Sequence, residues 1–236
     1  MNAVILAAGL GSRFKDMTKN TPKAFLPIDG RPNLERNIEY LIDSGIDEII
    51  IVVGYLKEKF YYLEDKYKEV KLIENPKYKT YNNMYSFYLA KEYLGDSLIL
   101  ESDIVILKNI FDKVDYDYST YFTVNRKIDG VEWVPVIGED GFVVDMDITD
   151  KKLPSLAGIS YWKKEDIKKI IMKSEEYYKN NKFSDSKLYW DNFIIDLYGE
   201  LKIKCREISS NLIFEMDNKE DYDYINKIIK EEKFDL

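Results

Sequence analysis

No histidine occurs in the 236 residues. Without imidazole there is no Ser-His-Asp triad, no histidine general base and little scope for zinc. Cysteine is nearly absent as well. Cys205 stands alone, which forbids an intrachain disulfide and makes a reducing cytoplasm the expected setting. It belongs to no motif and is expected to be a small buried residue. No apolar run approaches the roughly 18 residues a membrane helix needs, so no membrane insertion is expected. The opening apolar run is too short for a secretory signal and lacks its basic flank. An excess of positive charge is also missing: 35 Lys and Arg face 43 Asp and Glu, a net charge of −8. That balance argues against bulk nucleic-acid binding, which needs a basic footprint. Chemistry is left to carboxylates, Lys, Arg, backbone amides and a hard metal ion.

What is present is an ordinary globular composition, 45% apolar and 33% charged, in a length that suits one domain with a real core. Ala3 to Ala8 reads as a buried strand, followed by a long polar loop to Pro22. Leu34, Ile38, Leu41 and Ile42 recur at helical spacing, with Gly45 placed to stop that helix. "EIIIVVG" (48–54) is the continuous apolar run of a strand covered on both faces. A helix is expected at about 56–67, a strand over "VKLIEN" (70–75), a helix through "NNMYSFYLAKEYL" (82–94) and a strand over "SLILESD" (97–103). This alternation implies an α/β fold with a doubly wound, mostly parallel, Rossmann-like sheet. Later, "STYFTV" (119–124) and the two halves of "VPVIGEDGFVVDMDI" (134–148) read as antiparallel strands, the latter joined by a Glu-Asp-Gly turn. "LAGISYW" (156–162) is another strand, followed by helices at about 164–180 and 188–198, strands at about 201–208 and 212–216, and a helix from Asn218. No internal repeat or low-complexity linker interrupts the chain. Residues 1–236 are expected to form a single domain, with about 125–200 as a smaller antiparallel and helical lid over the carboxyl edge of the sheet.

The stretch "LAAGLGSRF" (6–14) sets two glycines about one residue and an arginine two places on. A Walker A loop requires Gly, four residues, then Gly-Lys-Ser/Thr, which this is not. A dinucleotide fingerprint needs a third glycine where Phe14 stands, and an acidic residue at the end of the second strand, which closes on Val53-Gly54. A nicotinamide oxidoreductase is thereby disfavoured. What fits is Gly-x-Gly-x-Arg followed by Thr-x-x-x-Pro-Lys, given by Gly9, Gly11, Arg13, Thr18, Pro22 and Lys23.

"AVILAAGLGSRF…MTKNTPKAFLPI" resembles the N-terminal motif of the nucleotidyltransferases that make NDP-sugars and CDP-alcohols. The resemblance implies a nucleoside triphosphate lying against Leu6, Ala7, Ala8, Gly9, Gly11 and Ser12. The chemistry of the motif agrees. Glycines admit the backbone close to phosphate oxygens, and successive amides donate without side-chain bulk. Arg13 can fork onto the oxygens that leave as pyrophosphate, and Lys23 places a point charge near the α-phosphate. Nucleotidyl transfer also needs a divalent cation against the charge that builds there. The resemblance implies Mg2+ held by Asp103, just past the carboxyl end of a central strand, and by a second Asp from a late strand. Asp217 in "IFEMDN" is the candidate. Asp103 has a plainer alternative as a turn opener. Asp217 is equally placed to cap the following helix, with Glu220 at the capping-box position, and the two roles are compatible.

Longer stretches, "DEIIIVVGYLKEKFYYLEDKY", "YNNMYSFYLAKE" and "LYWDNFI", resemble the bacterial phosphocholine cytidylyltransferase branch, over nearly the whole chain. The sugar branches carry a glycine-rich stretch where this chain has "TYNNMYS", which disfavours a sugar acceptor. Asn82, Asn83 and Ser86 there either hold the base and ribose or cap the helix. A quaternary ammonium has no N–H donors, so aromatic faces and carboxylates must recognise it. Trp133, Tyr189, Trp190, Asp191 and Glu215 offer that chemistry, although 20 tyrosines and 11 phenylalanines bring such groups together by composition alone. Trp190 is assigned to such a cage over plain packing, Trp133 to either, and Trp162 to the core. Arg126 either binds the acceptor phosphate or lies on the surface. The expected reaction is Mg-assisted, in-line transfer of a cytidylyl group from CTP to phosphocholine, giving CDP-choline and pyrophosphate. Alternatives are the same chemistry on phosphoethanolamine, 2-aminoethylphosphonate or a sugar 1-phosphate. From another class comes a nucleotide-binding sensor without catalysis, against which Arg13, Lys23 and Asp103 speak. The missing histidine fits the reaction. A phosphomonoester's second pKa is about 6, so the nucleophile is already mostly dianionic at neutral pH and needs no general base.

Overall fold

The computed structural model describes residues 1–112, 116–126 and 130–232. Its strands in chain order are β1 (Asn2–Ala7), β2 (Pro27–Ile28), β3 (Arg31–Pro32), β4 (Ile49–Val53), β5 (Val70–Glu74), β6 (Ser97–Glu101), β7 (Ile104–Ile106), β8 (Ser119–Val124), β9 (Glu132–Ile137), β10 (Val143–Thr149), β11 (Ser155–Trp162), β12 (Ile203–Ile208) and β13 (Ile213–Glu215). The helices are α1 (Asn33–Asp43), α2 (Tyr62–Lys66), α3 (Asn83–Ala90), α4 (Lys164–Lys179), α5 (Asp191–Ile195) and α6 (Lys219–Glu232).

Seven strands form the central sheet in the order β12-β8-β11-β6-β1-β4-β5. Six run one way and β11 alone opposes them. The apolar runs explain why the sheet is covered on both sides. Successive side chains of β4 point to opposite faces, and all five are fully buried. Ile49, Ile51 and Val53 join Leu34, Ile38 and Leu41 of α1 in one core. Ile50 and Val52 join Phe87 of α3, Ile167 of α4 and Phe193 of α5 in the other. Burying each such side chain is worth about 1.5–3 kcal/mol, so a sheet with exposed faces could not compete. A third cluster of Phe14, Leu26, Ile28, Val105, Met216, Ile225 and Ile229 seats α6 beside the sheet.

Register sets up the site. Ala7 lies opposite Val53, and Leu6 opposite Glu101, so the loops after β1, β4 and β6 emerge side by side. β7 then pairs antiparallel with β13, Ile104 opposite Glu215, which draws the 216–218 segment up to Asp103.

Several expectations need correction. Only β9 and β10 of the 125–200 range form a separate hairpin; β11 is a strand of the central sheet, between β6 and β8. Residues 127–129 of that range lie outside the described residues. The helix expected at 188–198 shrinks to Asp191–Ile195. Asp185 and Asn192 accept backbone N–H groups of Lys187 and Tyr189, a local bonding pattern that favours turns over helix. Of the helix expected at 56–67, Leu56 at φ 50 lies outside any helix, Lys57–Lys59 forms a short 3-10 turn, and α2 keeps only Tyr62–Lys66. Cys205 is exposed on the edge strand β12 rather than buried.

Candidate active site

The loop after β1 curls around a cavity of about 370 Å³. Gly11 sits at φ +60, where a Cβ would lie 3.1 Å from Lys23 Cβ and 3.2 Å from Thr18 Cγ2, so the loop can close on Lys23 only with glycine there. The Thr18 hydroxyl donates to the Gly11 carbonyl at 2.9 Å and fastens the curl. Phe14, at the position a dinucleotide loop gives to glycine, is 3% exposed and belongs to the core. Leu6, Ala7, Ala8, Gly9, Gly11 and Ser12 line one side of the cavity, and Asn82, Asn83 and Ser86 the other. Asn82 also caps α3, its Oδ1 accepting from the Asn83 N–H at 2.9 Å. Ser86 is 3% exposed and accepts from Asn75 Nδ2 at 3.0 Å.

A second cavity of about 270 Å³ lies on the far side of Asp103. Trp133, Tyr189, Trp190, Asp191, Glu215 and Arg126 all line it. Trp133 and Tyr189 meet edge to face, ring centres 6.4 Å apart. Trp190 is 4% exposed and stacks on Phe87 at 5.3 Å, so it forms a wall fixed by packing. Trp162 is fully buried, as expected of a core residue. Arg126 is no surface residue. It donates to the Leu156 carbonyl at 2.7 Å and pairs with Glu132 at 3.2 Å and Glu215 at 2.8 Å, tying β9 to β13. Burial pushes the Asp191 carboxyl up to about 7. Burial and neighbouring Asp103 also raise Glu215 to about 7, against the pull of Arg126.

The two cavities meet at a charged cluster. Lys23 Nζ is 2.8 Å from Asp103 and 3.2 Å from Asp217, and Arg13 is 2.6 Å from Asp217. Burial lowers the Lys23 pKa, but the two carboxylates more than reverse this and leave it above the usual lysine value. Asp103, Glu215 and Asp217 each offer one oxygen, all within 4.8 Å of one another. Three hard oxygen donors at that spacing suit a hard divalent cation such as Mg2+. Asp217 is not the helix cap. Asn218 Oδ1 accepts from the Asp221 N–H at 3.0 Å, while Asp221 Oδ2 accepts from the N–H groups of Asp217 and Asn218. The reciprocal capping pair is therefore Asn218 and Asp221 rather than Asp217 and Glu220, and the Asp217 carboxylate is left facing Lys23 and Arg13.

Sequence reasoning passed over Glu101. It lines both cavities, and one of its oxygens accepts from Asn83 Nδ2 at 2.9 Å and Trp190 Nε1 at 3.1 Å. Burial, then Asp103 and Asp191, raise its pKa well above the carboxylate range. A carboxylate closing the apolar strand "SLILE" was the available signal. Glu132, Tyr78 and Tyr81 had none, because only the folded chain brings them to the cavities.

A glycine loop at the carboxyl edge of a doubly wound sheet, facing a carboxylate cluster across from a second chamber, defines a nucleotidyltransferase. Residues 3–109 match the MobA-like NTP transferase domain. The chain is 44% identical to the choline-phosphate cytidylyltransferase of Haemophilus influenzae, over 95% of this chain and 96% of that protein. It is 34% identical to the 2-aminoethylphosphonate cytidylyltransferase of Lancefieldella rimae, over 92% and 88%. The solved CTP:phosphocholine cytidylyltransferase of Streptococcus pneumoniae superposes with a TM-score of 0.90 at 41% identity, covering 97% of this chain and 98% of that one. The chain belongs to the choline-phosphate cytidylyltransferase family.

Proposed function

We propose that this chain transfers a cytidylyl group from CTP to phosphocholine, releasing pyrophosphate and CDP-choline. The observation that carries the reading is the meeting of two chambers at one carboxylate–lysine cluster, in a chain with a choline-phosphate cytidylyltransferase for a 44% identical relative. The loop from Leu6 to Arg13 takes the triphosphate, its amides donating to phosphate oxygens. Arg13 and Lys23 leave their carboxylate partners for the β, γ and α phosphates. Asn82, Asn83 and Ser86 face the nucleoside. Asp103 and Asp217, with Glu215 in reach, would hold Mg2+, which would supply counter-charge at the α-phosphate. Arg126 stands where the acceptor phosphate enters, and the choline head lies among Trp133, Tyr189 and Trp190 beside Asp191. No proton need move from the nucleophile, so the work of the chain's residues is to bring two polyanions together and hold them in line. An exposed, unpaired Cys205 suits a reducing cytoplasm. Among the described residues no helix is long and apolar enough to cross a membrane.

The test is a matrix of four nucleoside triphosphates against phosphocholine, phosphoethanolamine, 2-aminoethylphosphonate and a sugar 1-phosphate, read as pyrophosphate. CTP with phosphocholine is expected to give the highest kcat/KM, by about tenfold or more over the primary amines, which lack the methyl groups that fill an aromatic cage. A preference for 2-aminoethylphosphonate would move the chain to the specificity of the Lancefieldella relative. No pyrophosphate with any pair would make it a sensor.

Asp191 gives a sharper handle. Choline itself does not titrate, whereas a carboxylate with pKa about 7 is charged only above that pH. Inhibition by free choline is therefore expected to weaken as pH falls from 8 to 6. Asp191→Asn is expected to weaken choline binding about tenfold at pH 8 and to remove most of this dependence, leaving the part due to Glu215. Choline inhibition that ignores pH would remove Asp191 from the head-group site.

A further inference from the structure

Helix α1 turns three polar side chains into the protein. Asn33, Arg36 and Asn37 are 0%, 2% and 1% exposed, at positions i, i+3 and i+4 of one face. Both asparagines donate from Nδ2 to a single acceptor, the carbonyl of Ile104, each at 2.9 Å. Neither Oδ1 has a partner among the described residues. A buried acceptor left unpaired costs stability, and an apolar pair at 33 and 37 would seat α1 without that cost. Stability therefore does not account for these asparagines.

Their bonds converge beside Asp103. The Asp103 carbonyl accepts from the Met216 N–H at 3.0 Å. The Ile104 carbonyl has two lone pairs, and the two asparagine amides fill both. The peptide planes before and after Ile104 are thus fixed from opposite sides, one by the segment that carries Asp217 and one by α1. The same helix face reaches the other half of the cluster, because Arg36 donates to the Ile28 carbonyl at 2.6 Å, a few residues beyond Lys23. One buried face of α1 stands behind both members of the Lys23–Asp103 ion pair.

We infer that Asn33 and Asn37 are positioning residues for nucleotidyl transfer, holding the Asp103–Ile104 turn so that the Asp103 carboxylate faces Glu215 and Asp217. The inference rests on the reading of Asp103 as a cation ligand. Residues that orient a ligand from behind cost about 10–100-fold in metal affinity or activity when lost.

The experiment places Asn33→Leu, Asn37→Leu and the double substitution in the full chain, each with Asp103 intact and with Asp103→Asn. Turnover, KM, melting temperature and calorimetric Mg2+ affinity in the presence of CTP are measured. The double variant is expected to lose about 10–100-fold in kcat and in Mg2+ affinity, with KM for phosphocholine within about twofold. In the Asp103→Asn background the same substitutions are expected to change kcat by less than about twofold, because the group they act through is gone. A merely structural pair would lower the melting temperature, leave Mg2+ affinity alone and slow both backgrounds alike; that pattern overturns the inference. If the double variant does not fold, Asn37→Leu alone carries the same comparison, with an expected loss of about 3–10-fold. Full turnover by Asp103→Asn itself would sink the reading of Asp103. A slow Asp103→Asn beside fast asparagine variants would sink this inference only.

Discussion

Lys23→Ala is expected to lower turnover by about 10³-fold in a protein that still folds. The ammonium lies between Asp103 and Asp217, and both carboxylates hold it in the charged form despite its burial. In the proposed reaction that charge passes to the phosphates, where it is needed most as negative charge accumulates around the α-phosphorus. Arg13 cannot replace it, being two-thirds exposed and, among the described residues, paired only with Asp217. A second effect runs the opposite way. Without Lys23, Asp103 loses its ion-pair partner and Asp217 keeps only Arg13, within a cluster of three carboxylates whose oxygens lie within 4.8 Å of one another. Mg2+ affinity in the absence of nucleotide is therefore expected to rise several-fold, because lysine no longer competes for the same oxygens. Lys23→Arg is expected to rescue little, since a planar guanidinium does not fit a site shaped around a point charge beneath Gly11 and Phe14. Single-turnover release of pyrophosphate and calorimetry with Mg2+ read the two effects separately. A variant within threefold of the native rate would strip Lys23 of its role.

Asp103→Asn is the companion substitution. It is expected to lose about 10³-fold in turnover or more, since it removes one anionic oxygen from a three-carboxylate cluster while keeping the size of the side chain. The fold should be untouched. The Asp103 carbonyl keeps its bond from Met216, and among the described residues the side chain has only Lys23 as a hydrogen-bond partner. Binding of CTP without metal is expected to tighten, because a negative charge facing the α-phosphate has gone. Tight metal-free binding together with slow turnover distinguishes a cation ligand from a residue that merely opens a turn. Equal loss of both would favour the turn.

The strands of the central sheet were legible wherever burial on both faces left a continuous apolar run, as in Ile49–Val53 and Leu98–Leu100. The glycine loop was legible for a different reason: its chemistry is local, with Gly9, Gly11, Arg13 and Lys23 all within one short segment. β11 was recognised as a strand but misplaced in the lid, because alternation along a strand says nothing of its neighbours in a sheet. The second chamber, proposed to take the acceptor, was harder still. It draws Tyr121, Trp133, Gly158, Trp190 and Glu215 from five separate stretches, and only residue type hinted at the grouping. The capping pair at the start of α6 shows the limit at single-residue scale. Asp217, Asn218, Glu220 and Asp221 all suit such a motif, and only the folded backbone selects Asn218 with Asp221.

The wall common to the two chambers bears on how a catalytic cycle ends. In the proposed reaction the substrates arrive as two molecules, each gripped by one half of the cleft, but once pyrophosphate has gone the conjugate leaves as a single tethered body. Either end that lets go is held near its pocket by the other, so rebinding of the loose end competes with escape. Departure of the nucleotide–alcohol conjugate, rather than bond formation, is then the step most open to adjustment by residues such as Tyr189 that touch both halves.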